Sequence, residues 1–568
     1  MRKINYPTAL QSFKFKHNMK KIFFLLLVLV AIKVIAQTNS IYPESLLITP
    51  EKSNFEKTSS YADVIQFLNT IKTMSNNIHI GSIGKSTLGK DIPMVVLANP
   101  LITTAEQAKA SGKPVVYIQA NIHAGEIEGK EVSMMLMRDI LLGNKKHLLQ
   151  NQIIVFVPIY NTDGNDQFAK GLRPSQENSP LETGIRENGQ GLDLNRDGIK
   201  MEAPETQGMI KRILTDWNPQ MTVDLHTTNG TWHGYSLTWA PGYLSSGEAG
   251  PYTYTINTIL PYITQQVKQK NDLYFGPFGD FNLREGWPLK NFYTYNHHPR
   301  YIINQIGLRN RMSILSEAFA HERFYQRINS TYHFVYEILD YCNKNAASII
   351  SINQTAETNA IKKVLNSAGK IKKGVRFKMT PLKEPINHFR TYDYIPYTSA
   401  GGTTTFTKTG KIVHYDSIAY YADFKDTLSA TLPRGYIIPA AFTAIADHLK
   451  KQGITVTPIG KKQVYTGEVF VVEQFSKATR KFEGHLMASA EGQFILKDFT
   501  AEKGDFLVDM AQPLTNLIFY TLEPQSDDGL LVWNFFDAYL EANNINIQAV
   551  EYPIFKYFST KTTSKKQK

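Results

Sequence analysis

The sequence predicts an α/β fold in which a central, largely buried sheet is flanked by helices and followed by a second, mixed α/β domain. Three observations carry that prediction. Short β-branched runs alternate with longer helix-like segments through the first half. Four of those runs, 115–118, 153–157, 221–223 and 312–315, lead directly into polar clusters. Apolar residues make up 42% of the 568 positions, enough for conventional cores without covalent staples.

The chain opens on a segment that reads as a targeting signal. Met19-Lys20-Lys21, the apolar run 22–32 and Val34-Ile35-Ala36 give a basic start, an apolar centre and a small-residue cleavage site after Ala36. Met19 is the more natural start. The apolar run is shorter than the roughly 20 residues of a membrane span. Export to the periplasm or the exterior is the expectation, with no membrane contact beyond the signal.

These ends also explain the charge. The formal +12 includes seven Lys/Arg and no acids in residues 1–36, whose removal leaves +5, and the four lysines of the tail reduce the remainder to +1. A nearly neutral body without a basic, aromatic stripe is not a nucleic-acid binder. The single cysteine, Cys342, forbids an intramolecular disulfide and reads as a small buried hydrophobe.

Length calls for two or more domains. After a chemically rich stretch 37–350, the polar residues of 351–373 read as a linker. Residues 374–556 read as the accessory domain, strand-rich at first and with helical patterns over 440–451 and 533–542. A basic, disordered tail is expected over 557–568. The acids between Glu523 and Asp537 read as helix and turn caps rather than calcium ligands, because no spaced ligand loop is complete.

The chemistry sits in clusters at the ends of the apolar runs: His123-Ala-Gly-Glu126, Asp193-Leu-Asn195-Arg196, Asp224-Leu-His226, and Glu317. In open α/β sheets ligands bind outside the carboxyl ends of strands, so residues far apart in sequence can meet there. His123 to Glu126 falls in a strand-to-helix turn, before a helix that opens at 129–131 and ends near Gly143, and Gly125 suits such a turn through its tolerance of positive φ. Two imidazoles and a carboxylate are a donor set for a catalytic zinc with one open position.

In this order, H-A-G-E, then G-L-D-L-N-R-D, then D-L-H, then a strand ending in Glu, the chain resembles the zinc metallocarboxypeptidases of carboxypeptidase A type over about residues 60–341, including larger secreted bacterial relatives with a C-terminal accessory domain. The resemblance implies a mixed central sheet and one zinc ion held by His123, Glu126 and His226. It implies that Asn195 and Arg196 hold the terminal carboxylate of a peptide or amide substrate, and a guanidinium fork suits that task. Arg186 would polarise the scissile carbonyl, with Arg173 as the competitor, and Glu317 would be the general base, with Glu322 as the alternative. Asn161-Thr-Asp163-Gly164 and Glu205 resemble structural pieces of the family. Tyr295 stands at the distance from Glu317 expected of its mobile tyrosine. His233, His297 and His298 fall in loops that read as cleft linings rather than metal ligands.

The activity implied is hydrolysis of C-terminal peptide bonds. The same constellation would also serve an amidohydrolase acting on cell-wall peptides or N-acyl amino acids, and a catalytically inactive binding protein is the reading from another class. No G-x-S-x-G nucleophile elbow competes for the site.

Overall fold

Eight strands pair into one sheet whose parallel middle is joined to the strands on either side by antiparallel pairing. In the computed structural model, which describes residues 42–176, 180–243 and 247–561, they are β1 (Ile78–Lys85), β2 (Asp91–Leu97), β3 (Val115–Ala120), β4 (Ile153–Val157), β5 (Met221–Thr227), β6 (Leu237–Pro241), β7 (Phe275–Pro277) and β8 (Met312–Ala318). Their order across the sheet is β1-β2-β4-β3-β5-β8-β6-β7. Strands β4, β3, β5 and β8 run parallel, while β1 pairs antiparallel with β2, β2 with β4, and β6 with β8. The expected mixed central sheet is therefore present. Strands β3, β4, β5 and β8 are buried along their whole lengths, as their unbroken apolar runs require of strands covered on both faces.

The covering helices are legible from their sequences. Helix α1 (Glu128–Leu141) follows the first polar turn, and α2 (Phe324–Lys344) follows β8 and packs against it. Gly129 lets α1 begin hard against the sheet: a Cβ there would lie 2.6 Å from the Cβ of Leu225 and 3.1 Å from that of Ala120. On the opposite face Ile210, Ile213, Leu214, Trp217, Ile302 and Ile306 pack on Val96, Tyr117 and Val155. Cys342 is a buried free thiol in α2.

The second half departs from the expected partition. Residues 351–367, read as linker, belong to α3 (Ala346–Ser367). Its buried positions, Ile349, Asn353, Ala356, Ala360 and Val364, recur at helical spacing. The seam was hidden because small and polar side chains fill most of it. Beyond α3, Ala419–Thr431 pairs with Lys372–Pro381 and also with Asn291–Tyr293 from the first half. A further sheet is built on Gly435–Ile438, Gln463–Lys477, Ala488–Ala501, Phe506–Asp509 and Phe555–Thr560. Its core, with Tyr436, Leu449, Phe470 and Trp533, also takes in Ile199 and Leu308. Ile48–Lys568 accordingly form one compact unit rather than two joined by a linker.

The expected tail begins too early. Phe555–Thr560 is a strand, and Tyr557, 5% exposed, pairs with both Gly435 and Gly467. Lysines nearby masked its apolar alternation. Residues 562–568 and the targeting segment lie outside the described residues. Residues 42–47 form part of a separate unit and hold a 3-10 turn at Glu44–Leu46. Among the described residues no helix is long and apolar enough to cross a membrane.

His448, in the helix Thr443–Lys451, meets the backbone carbonyl of Ile199 through Nε2 at 2.9 Å, and burial pushes its imidazole down to about 4. An unfolded histidine titrates near 6.5, so between those values the folded chain binds fewer protons than the unfolded one. The stabilisation is complete above about pH 6.5 and is lost as pH falls toward 4, by at most about 3 kcal/mol. Denaturant unfolding at pH 7 and pH 4.5 is expected to show a smaller acid loss in His448→Gln than in the parent.

Candidate functional site

The carboxyl ends of β3, β5 and β8 converge on one cleft. Strands β5 and β8 pair in register with Glu317 opposite His226, which puts the two side chains at the same end of the sheet. The turn after β3 brings in His123 and Glu126, where the Glu126 amide donates to the His123 carbonyl at 2.9 Å. Gly125 is required there for space rather than for a positive φ: a Cβ would sit 2.6 Å from the carbonyl oxygen of Gly184 and 2.8 Å from Cγ of Arg173.

Three donors form the centre. Glu126 Oε1 lies 3.0 Å from His123 Nδ1, Glu126 Oε2 lies 2.9 Å from His226 Nδ1, and the two Nδ1 atoms are 3.2 Å apart. All three residues are buried. The other nitrogen of each ring is held by a carboxylate: His123 Nε2 by Asp193 at 3.1 Å and His226 Nε2 by Asp224 at 2.9 Å. Such a partner fixes the tautomer and aims Nδ1 inward, the support expected around a metal-ligating histidine. Two imidazoles and one carboxylate, sealed from bulk water with room for a further ligand, fit a catalytic zinc.

Around this centre lies a cleft lined by all seven sequence-predicted residues, His123, Glu126, Arg186, Asn195, Arg196, His226 and Glu317. Arg186 donates through Nε to Asp193 Oδ2 at 2.9 Å and reaches to 3.7 Å from Glu126 Oε1. Asn195 is locked by two backbone bonds, its own amide to Asp193 Oδ1 and the Ile302 amide to its Oδ1. The Arg196 guanidinium lies 4.5 Å from the centre of the Tyr301 ring. Burial pushes the Glu317 carboxyl up to about 8. Burial acts on Asp193 in the same sense, yet His123, Arg196 and Arg186 hold its carboxyl well below the ordinary range. Glu126 is likewise held low against burial by His123 and Arg173.

The alternatives fall elsewhere. Glu322 is outside the cleft lining and half-buried rather than exposed. Asp163 and Glu205 are structural: Asp163 accepts from Ser86 and Leu88, and Glu205 from Thr87 and Asn188. His297 and His298 do not line the cleft, contrary to expectation, and His233 packs against Phe319.

Sequence reasoning gave Arg173 too small a part. Its Nη2 lies 2.6 Å from Glu126 Oε1, and it shares the cleft with Arg186. It also missed the apolar wall of Phe278, Ile303 and Leu315. The only signal for Arg173 was its place before Arg186, and nothing local marks the wall.

Residues 64–199 match the sequence profile of the family described as zinc carboxypeptidase, a stretch that holds His123, Glu126, Arg186, Asn195 and Arg196. No curated protein matches the chain. Among solved structures, the chain is similar to the metallo-carboxypeptidase from Burkholderia cenocepacia at 14% identity, over 51% of this chain and 70% of that one, with a TM-score of 0.38. It is similar to the Pseudomonas aeruginosa metallo-carboxypeptidase in complex with (2-guanidinoethylmercapto)succinic acid at 14% identity, over 51% and 70%, with a TM-score of 0.36. Carboxypeptidase A from Helicoverpa armigera is similar at 16% identity, over 60% and 82%, with a TM-score of 0.36.

Asp193→Asn removes the anion that orients His123 while keeping its shape. Zinc affinity is expected to fall about 10- to 100-fold, read by competition with a chromophoric chelator, with the far-UV circular dichroism unchanged.

Proposed function

We propose that the protein is an exported zinc metallocarboxypeptidase that removes the C-terminal residue of peptides. The observation that carries this reading is that His123, Glu126 and His226 share one cleft with Glu317, Arg186, Asn195 and Arg196. Zinc held by the first three residues supplies Lewis acidity and an acidified water.

The remaining roles belong to the chain. Arg196, braced by Tyr301, meets the substrate's terminal carboxylate with a guanidinium fork, and Asn195 adds its amide. This clamp fixes which peptide bond lies over the centre, because only the last residue carries a free α-carboxylate one bond away from its own peptide nitrogen's Cα. Arg186 and Arg173 supply the positive charge that stabilises the oxyanion formed as water adds to the carbonyl carbon. Glu317 takes the proton of that water and returns it to the departing amine nitrogen as the C–N bond breaks, a task suited to a carboxyl kept basic by burial. Phe278, Ile303 and Leu315 favour an apolar side chain on the released residue. Export rests on the basic and apolar segment ending at Ala36.

The test compares free-acid and C-terminally amidated peptides. Glu317→Gln is expected to lower kcat by about 10²- to 10⁴-fold with zinc content unchanged. Arg196→Gln should cost tenfold or more in kcat/KM, since a hydrogen bond to a charged group contributes about 1.5–3 kcal/mol, and only for free-acid substrates. Equal cleavage of amidated peptides by the parent enzyme would remove the carboxypeptidase reading and leave that of an amidohydrolase.

A further inference from the structure

Tyr295 and Tyr301 both line the cleft, and the two histidines between them do not. His297 Nε2 lies 3.3 Å from Asp527 Oδ2, and the rings of His297 and His298 are 4.8 Å apart. One donor atom from each of His297, His298 and Asp527 falls within 4.8 Å of the others.

Several features set this cluster apart from an ordinary buried ion pair. His297 is 2% exposed, and its Nδ1 has no hydrogen-bond partner. A neutral ring whose Nε2 carries the proton leaves the Nδ1 lone pair unused. A ring whose Nδ1 carries it leaves a buried donor unpaired and turns the Nε2 lone pair toward a carboxylate, an arrangement that needs a cation between them. The 3.3 Å gap also suits an ion, because ligands about 2.0–2.1 Å from a tetrahedral zinc stand about 3.3–3.4 Å from one another.

Asp527 is pre-oriented as metal-ligating carboxylates are, accepting the Phe377 amide at 3.0 Å and the Tyr520 hydroxyl. The Arg300 guanidinium is engaged by Asp528 instead, through Nε at 2.9 Å and Nη2 at 2.7 Å.

We propose that His297, His298 and Asp527 form a second zinc-type cation site, separate from the cleft, that pins the segment carrying Tyr295 and Tyr301 to the C-terminal half. Two imidazole nitrogens and one carboxylate oxygen suit zinc over calcium or magnesium, which take oxygen ligands. The site is independent of the catalytic reading, since none of its ligands belongs to the cleft.

Metal analysis of the full chain, stripped with a chelator and dialysed against zinc alone, tests the proposal. Two ions per chain are expected in the parent, and one each in His298→Ala, Asp527→Asn and His123→Ala. One ion in the parent that is lost in His123→Ala overturns the proposal, as do two ions that persist in both His298→Ala and Asp527→Asn. One ion lost in His298→Ala but kept in His123→Ala would sustain this site and remove the catalytic metal instead. Should the variants fail to fold, chelator titration of the parent is expected to release zinc in two steps, and a single step accounting for one ion overturns the site.

Discussion

A single buried carboxylate, Asp193, holds the active cleft together. Its Oδ1 faces His123 and accepts the Asn195 amide, while its Oδ2 takes Arg186 and lies 3.7 Å from Arg196. One anion thereby aims the His123 ring, caps the turn that carries Asn195 and Arg196, and orders two guanidinium groups that would otherwise repel each other. Desolvation makes such an anion expensive, and only this number of charge-assisted partners keeps it ionised. The ionised state of this carboxylate and the order of the cleft are thus tied to the same atoms.

Much of this was legible in the sequence because the parallel strands announce themselves. Unbroken apolar runs ending in His, Asn or Glu located the sheet and its reactive end, and all seven nominated residues line one cleft. Register turned those positions into a site, since Glu317 and His226 are neighbours across the β5 and β8 pairing. What stayed hidden obeys a different logic. Arg173, Phe278 and Ile303 come from loops and flanking elements whose placement depends on distant packing, and Leu315, although on β8, carries no polar mark of the site. No local pattern distinguishes that leucine from any other.

Errors in the second half have a common cause. The helix Ala346–Ser367 buries alanine and asparagine where a longer apolar stripe was sought, and so resembled a linker. The acids of 523–537 were read as caps, whereas Asp528 receives the Arg300 amide and guanidinium and the Trp533 indole, and Asp527 meets His297. Long-range polar contacts of this kind leave no periodicity to read. They also explain why the partition at the supposed linker failed: Ile199 and Leu308 belong to the same core as Trp533.

The hairpin between Gln463–Lys477 and Ala488–Ala501 carries Glu483 at its tip, in a left-handed turn, and its carboxylate accepts the Asp193 amide at 3.2 Å. That contact sets a timetable for synthesis. Every cleft residue has left the ribosome once Glu317 emerges, but the backbone that presents Asp193 gains its last partner only when residue 483 follows. Domains that fold in order of synthesis become competent as each closes. Here a backbone amide beside the cleft meets its side-chain partner in a segment made more than 160 residues after Glu317, so this contact forms only when the chain is nearly whole.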